Sequence, residues 1–176
     1  MGEPPPTFDH LAGTVDAADV EPPVLSRAIR RAGRAGRSLA VGFELTDRLC
    51  DLVDDHTRGT VRLPRVDIER FGSDLVETSP GGRPASGPLG RLVRFEVERA
   101  HGLLDGSITV IGPLPLGDRL RVSWLVGDAR ARLQAIARHP DVFSTRPKPW
   151  ATSKALGAFR TLRRAHHRRS ARPRVG

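Results

Sequence analysis

The residues with the clearest chemical potential form an acidic row, Glu44, Asp47, Asp51 and Asp55, with Asp54 beside it. Asp51 and Asp55 are four apart, which on a helix places both carboxylates on one face, one turn apart. Asp47 and Glu44 carry that face further back along the same helix. Like charges at this spacing weaken an isolated helix by ~0.2–0.5 kcal/mol per pair, so something must offset them. Arg48 is placed to pair with Glu44, and Arg58 with Asp54 or Asp55. A hard divalent cation would offset them further, since Mg²⁺ is held by one or two carboxylates together with substrate phosphates. The pair is therefore suited to a hard divalent cation whose remaining ligands are phosphate oxygens. The plain alternative is a solvated acidic face, because Asp-x-x-x-Asp arises often by chance.

Other reactive residues weigh less. Glu96 falls on an apolar helix face, either as a cavity carboxylate or, as we prefer, in an ion pair with Arg99 at a helix contact. Cys50 adjoins Asp51, and acidic neighbours should raise its thiol pKa and leave it inert. As the sole cysteine, it excludes an internal disulfide and a cysteine-rich zinc site. His166-His167 lies among arginines and reads as part of a solvated tail rather than a metal or RNA site. No glycine-rich phosphate loop and no Ser/His/Asp set stands out.

The elements that would position these residues are helical. Residues 25–58 read as one long helical stretch after the Pro22-Pro23 stop, interrupted or bent near Gly33 and Gly36. Its second part carries Val41, Leu45, Leu49 and Leu52 at helical spacing. Residues 67–71 form a short helix closed by Gly72, and residues 78–88 a Gly/Pro/Ser loop. The cleanest helix is 89–105, with Leu89, Leu92, Val93, Val97, Ala100, Leu103 and Leu104 on one face together with Glu96. Pro113 and Pro115 break the chain. A helix over 116–138 follows, with Val122, Val126, Ala129, Leu133 and Ile136 as its stripe. Thr152 or Ser153 caps a last helix with Ala155, Leu156, Phe159 and Leu162 inward. No alternating strand pattern occurs, so the fold class is all-α.

The 176 residues fit one domain, with 1–8 as a lead, 9–165 as the helical body and 166–176 as a basic tail. The net charge of +9 is uneven: from Arg160 onward there are seven arginines and no acid, leaving a body near +2. This is weak support for a nucleic-acid partner. No apolar run approaches the ~20 residues of a membrane span, and the first residues lack the blocks of a signal peptide. A cytoplasmic location is expected, with peripheral membrane contact admitted.

The run Leu45-Thr46-Asp47, Asp51-x-x-x-Asp55, then Arg58-Gly59-Thr60-Val61-Arg62-Leu63-Pro64 resembles the second aspartate-rich motif of the squalene/phytoene synthase family. That family writes Gln-Leu-Thr-Asn-x-x-Arg-Asp-x-x-x-Asp followed by Arg-Gly-x-x-Tyr-Leu-Pro. Asp67-Ile68-Glu69-Arg70-Phe71-Gly72, Arg94-Phe95-Glu96-Val97-Glu98-Arg99-Ala100, Asp141-Val142-Phe143 and Ser153-Lys154 are similar to later family segments, in the same order. The resemblance implies a partial class I isoprenoid (terpenoid) synthase helical fold. It also implies Mg²⁺ held by Asp51 and Asp55, and Arg58 as a substrate-binding residue. The substrates would be prenyl diphosphates, geranylgeranyl or farnesyl, joined head to head through a cyclopropyl intermediate.

The chain departs from the family pattern at four positions in this run. Glu44, Asp47 and Cys50 stand for the family's Gln, Asn and Arg, and Arg62 stands for its Tyr. The first aspartate motif would lie upstream of Phe8, so the likeness covers only the C-terminal half of the family's length. A truncated product, a remnant, and one subunit of a split enzyme with a complementary N-terminal-half partner all stay open. The expected function is a Mg²⁺-dependent prenyltransferase of the phytoene or squalene type. The alternatives are a non-catalytic helical subunit or, third, a basic binder of nucleic acid or a membrane surface.

Overall fold

Helix α1 (Pro23–Arg31) begins on a proline, which the first helical turn tolerates because its missing N–H would have no partner there. The computed structural model describes residues 23–58, 62–72, 87–138, 158, 159 and 161. After α1 the chain breaks at Ala32, whose N–H donates back to the carbonyls of Ala28 and Ile29, both at 3.2 Å. Gly33 then takes φ +55° and opens α2 (Gly33–Cys50). Such a left-handed residue costs roughly 1–2 kcal/mol when it carries a Cβ and little when it is glycine. Three residues on, a Cβ at Gly36 would fall on the Ile29 carbonyl, so α2 crosses α1 at backbone contact. The two glycines turn the expected interruption into a full break.

A second break divides the expected stretch further on. Asp51 is a C-cap with φ −88° and ψ 0°, and α3 (Leu52–Thr57) begins after it. The residues 25–58 are thus three helices rather than one. The break is gentle: the Asp51 N–H still donates to the Asp47 carbonyl at 2.9 Å, and the Asp55 N–H to the Asp51 carbonyl at 2.8 Å. Helical spacing between the aspartates therefore survives.

Helix α4 (Arg65–Phe71) starts two residues earlier than the sequence suggests and ends as expected at Gly72, with φ +59°. There the Gly72 N–H satisfies the Glu69 and Ile68 carbonyls. Helices α5 (Pro88–Asp105), α6 (Ser107–Ile111) and α7 (Leu116–Arg138) complete the described body. The short α6 was not anticipated; its five residues lie between Gly106 and Gly112 and bury Val110 and Ile111. Every element among the described residues is a helix.

Helix α2 packs chiefly on α5, α7 crosses both, and α4 lies along α5. The core forms where these faces meet. Val41, Leu45, Leu49 and Leu52 are buried, as are Leu92, Val93, Val97, Ala100 and Leu104, and Val122, Val126, Ala129, Leu133 and Ile136. These are the three expected stripes, with Leu89 and Leu103 of the second only partly buried at its edge. Burying such side chains is worth roughly 1.5–3 kcal/mol each for the larger ones, which drives the bundle together. No helix among the described residues is long and apolar enough to cross a membrane. The lead, the 78–88 loop apart from its end, and the basic tail lie outside the described residues. So does the last helix except Ala158, Phe159 and Thr161, which are helical; Phe159, expected inward, is exposed, and Thr161 is the buried residue.

Candidate functional site

The acidic face is built where α2 gives way to α3. The apolar side of this segment is pinned by Leu45, Leu49 and Leu52, all at most 3% exposed, which turns Asp51 and Asp55 to the other side. Their environments differ. The Asp55 side chain is 4% exposed and that of Asp51 34%. One carboxylate is thus seated in the protein and the other reaches water.

Both are held by the same residue. Arg62 Nε donates to Asp55 Oδ2 at 2.8 Å and Arg62 Nη2 to Asp51 Oδ2 at 3.1 Å. The hydrogen bond to Asp55 and the charges of both aspartates hold the guanidinium more firmly protonated than usual. The loop that brings Arg62 back is itself tied down. Arg48 Nη1 donates to the Arg62 carbonyl at 3.2 Å, and Leu63 is buried beside it. Arg48 also makes the expected pair with Glu44, at 2.8 Å. Arg58, expected to pair with Asp54 or Asp55, does not neutralise Asp55; that role falls to Arg62. The Arg58 N–H donates to the carbonyls of Asp54 and Asp55, and the residue is exposed at the end of α3.

The rest of the acidic row is divided. Asp47 leaves the face for α7, where Arg132 Nη1 donates to its Oδ1 at 3.1 Å and Arg132 Nη2 pairs with Asp128 at 2.7 Å. Burial raises the Asp47 pKa despite this arginine. Cys50 lies beneath the same contact. Burial foremost, with Asp47 and Asp51 adding to it against Arg132, pushes its thiol up to about 11. The expected direction is right, but burial rather than the acids is the larger cause.

A second ionic cluster joins α4 to α5. Arg99 Nη1 donates to Asp67 Oδ2 at 2.6 Å and lies 3.3 Å from each Glu96 oxygen. Asp67 and Glu96 are 1% and 0% exposed. The ion pair expected for Glu96 is present, with Asp67 as an additional, unforeseen member. Burial, then the nearby Asp67 charge against Arg99, pushes the Glu96 carboxyl up to about 7. Asp67 Oδ1 has no hydrogen-bond partner among the described residues, and the contact with Asp67 adds to the forces that keep Glu96 protonated. Phe95 packs against Phe71 with ring centroids 5.3 Å apart, and Arg70 and Arg99 lie over its ring. This cluster seats α4, and through Pro64 the loop that carries Arg62.

The sequence model of the squalene/phytoene synthase family matches residues 12–154. The chain belongs to the squalene/phytoene synthase family. Searches of curated proteins and of solved structures gave no match. The family has the all-α isoprenoid synthase fold, in keeping with the helices described above. It is generally Mg²⁺-dependent and acts on prenyl diphosphates.

The donor chemistry of this squalene/phytoene synthase family member suits that metal in part. Two carboxylate oxygens, from Asp51 and Asp55, converge from one face. That is the number Mg²⁺ commonly takes from protein when phosphates complete its shell. Among the described residues no group of three or more His, Cys, Asp or Glu side chains is placed to hold a metal by itself. The face fits a metal that arrives with its diphosphate better than a metal alone.

Proposed function

We propose that the chain works as a squalene/phytoene synthase-like prenyltransferase component, whose Asp51–Asp55 face holds Mg²⁺ against a prenyl diphosphate. The observation that carries this reading is that one cationic group, the Arg62 guanidinium, bridges the Oδ2 atoms of both carboxylates, in a chain of this family. Bound Mg²⁺ would neutralise the departing diphosphate and ease ionisation to an allylic cation. Asp55, nearly buried, would supply one oxygen and Asp51, partly exposed, the other. Arg58, exposed one residue beyond α3, would contact the diphosphate. Head-to-head joining of two farnesyl or geranylgeranyl diphosphates calls for a second metal-bearing face, supplied from outside the described residues.

One observation favours a second reading. Arg62 already pairs with both carboxylates, as it would in a non-catalytic helical subunit where the pair is structural. Thermal melting with a non-hydrolysable prenyl diphosphate analogue separates the two. A metal-dependent site stabilises the protein only when Mg²⁺ and analogue are both present, by ~2.7 kcal/mol at a hundredfold excess over the dissociation constant. Asp51→Asn or Asp55→Asn removes the shift. A folded sample with no Mg²⁺-dependent shift would support the structural reading instead.

A further inference from the structure

The cation position between Asp51 and Asp55 has a resident. Arg62 donates to the Oδ2 of each carboxylate, Nε to Asp55 and Nη2 to Asp51. A guanidinium on those oxygens opposes a divalent cation there, because both are positive and both draw on the same lone pairs. Metal entry at those oxygens therefore competes with the arginine.

Arg62 is built so that its head can leave while its backbone stays. The backbone is held by Arg48 Nη1 on its carbonyl and by buried Leu63 next along the chain. The side chain, by contrast, is 51% exposed and spans from that anchor to the two carboxylates. Asp55 has the opposite character: 4% exposed, it cannot be left without a positive partner. Arg62 meets that need while no metal is bound. Once released, its planar fork of donors matches phosphate oxygens bidentately.

We propose that Arg62 is a tethered counter-cation: it closes the Asp51–Asp55 face in the metal-free protein and passes onto the diphosphate when a metal–diphosphate takes that face. This rests on the metal reading of the face given above, and deepens it by making metal and diphosphate binding mutually dependent. Metal alone must displace the arginine with no return. Metal with diphosphate gives the displaced guanidinium a new anion.

The test uses the full chain with Mn²⁺ as a spin-active stand-in for Mg²⁺, and inorganic pyrophosphate. Arg62→Gln keeps one donor for Asp55 and removes the charge; Arg62→Lys keeps the charge and gives up the second nitrogen. Circular dichroism checks that both variants are folded. Loss of the free Mn²⁺ signal in electron paramagnetic resonance gives the metal affinity. Calorimetry of pyrophosphate into the Mn²⁺-loaded protein gives the second affinity. We expect Arg62→Gln to bind Mn²⁺ alone about tenfold more tightly and pyrophosphate about tenfold more weakly. Arg62→Lys should fall between, and adding Asp51→Asn to Arg62→Gln should abolish the gain. Equal Mn²⁺ affinity in wild type and Arg62→Gln, still lost in Asp51→Asn, overturns the role of Arg62 and leaves the metal face standing. Undiminished pyrophosphate binding in Arg62→Gln overturns the transfer onto diphosphate. No Mn²⁺ binding in either protein overturns the proposal and the metal face together.

Discussion

Arg62 donates to Asp55 across a seven-residue separation, Nε to Oδ2 at 2.8 Å, and this link closes the loop after α3 back onto the acidic face. The pair is asymmetric in exposure, 51% for the arginine and 4% for the aspartate. Losing the arginine therefore leaves a carboxylate that water reaches poorly. We expect Arg62→Ala to lower stability by about 1–2 kcal/mol, the range for an orphaned buried acceptor reduced for the solvent on the arginine side. Arg65→Ala, which breaks the fully solvated Arg65–Glu69 pair, should change it by less than ~0.5 kcal/mol. Urea unfolding of both variants decides: equal losses would mean that Asp55 does not depend on Arg62.

The Glu96 carboxyl gives the protein a pH dependence of definite sign. Its pKa is about 7 in the folded chain against an ordinary 4.5. The folded state thus holds a proton that the unfolded state gives up, and stability falls as pH rises between those values. This contribution is fully present below pH 4.5 and gone above pH 7. Glu96→Gln, a neutral amide able to donate to Asp67, should flatten the profile and be more stable than wild type at pH 8. Melting temperatures of the two proteins at pH 5.5 and pH 8 measure this. A wild type more stable at pH 8 than the variant would mean that Glu96 is held as a carboxylate by Arg99.

The three apolar stripes were legible because 3.6-residue spacing fixes which side chains share a face, whatever that face packs on. The Asp51–Asp55 pair was legible for the same reason. Arg62 was visible only as a residue out of place, standing where the family carries a tyrosine. Its pairing depends on a return loop whose path no periodicity encodes. A signal did exist: Leu63 is apolar and must bury, which draws its neighbour back onto α2. Asp67 was hidden differently. It sits in a helix too short to show an inward face, so its burial against Arg99 is set by how α4 lies on α5. The division of the acidic row at Asp47 follows from Arg132, 85 residues away in the chain, and no local pattern reports that.

The α1–α2 corner rests on two glycines with different needs. Gly36→Ala places a methyl on the Ile29 carbonyl, which is backbone and cannot swing aside. The helices must separate, and we expect a loss of about 1–3 kcal/mol, the usual range for overpacking. Gly33→Ala meets open space but must hold φ +55°, so its loss should be near ~1 kcal/mol. Gly102→Ala, in an exposed helical position with nothing within 4 Å, should stabilise by ~0.5–1 kcal/mol. Chemical denaturation of the three variants tests the ordering. A Gly36→Ala protein as stable as wild type would mean that α1 and α2 do not meet at backbone contact.

Cys50 lies one residue from the proposed metal ligand, yet its surroundings argue against reactivity. Alkylation and metal binding both need the thiolate, and burial together with Asp47 and Asp51 keeps the proton on sulfur, with a pKa of about 11. At pH 8 the thiolate fraction is then on the order of one in a thousand, against roughly a quarter for a free thiol. Native protein should react with iodoacetamide at least ~100-fold more slowly than the same chain in guanidinium, since the thiolate is the nucleophile. Arg132→Gln should slow it further, because the Arg132 charge favours the thiolate while Asp47 and Asp51 oppose it. Mass spectrometry of timed samples gives both rates. Rapid labelling of the folded protein would show that the α2–α7 contact around Asp47 and Arg132 opens in solution, and with it one flank of the acidic face.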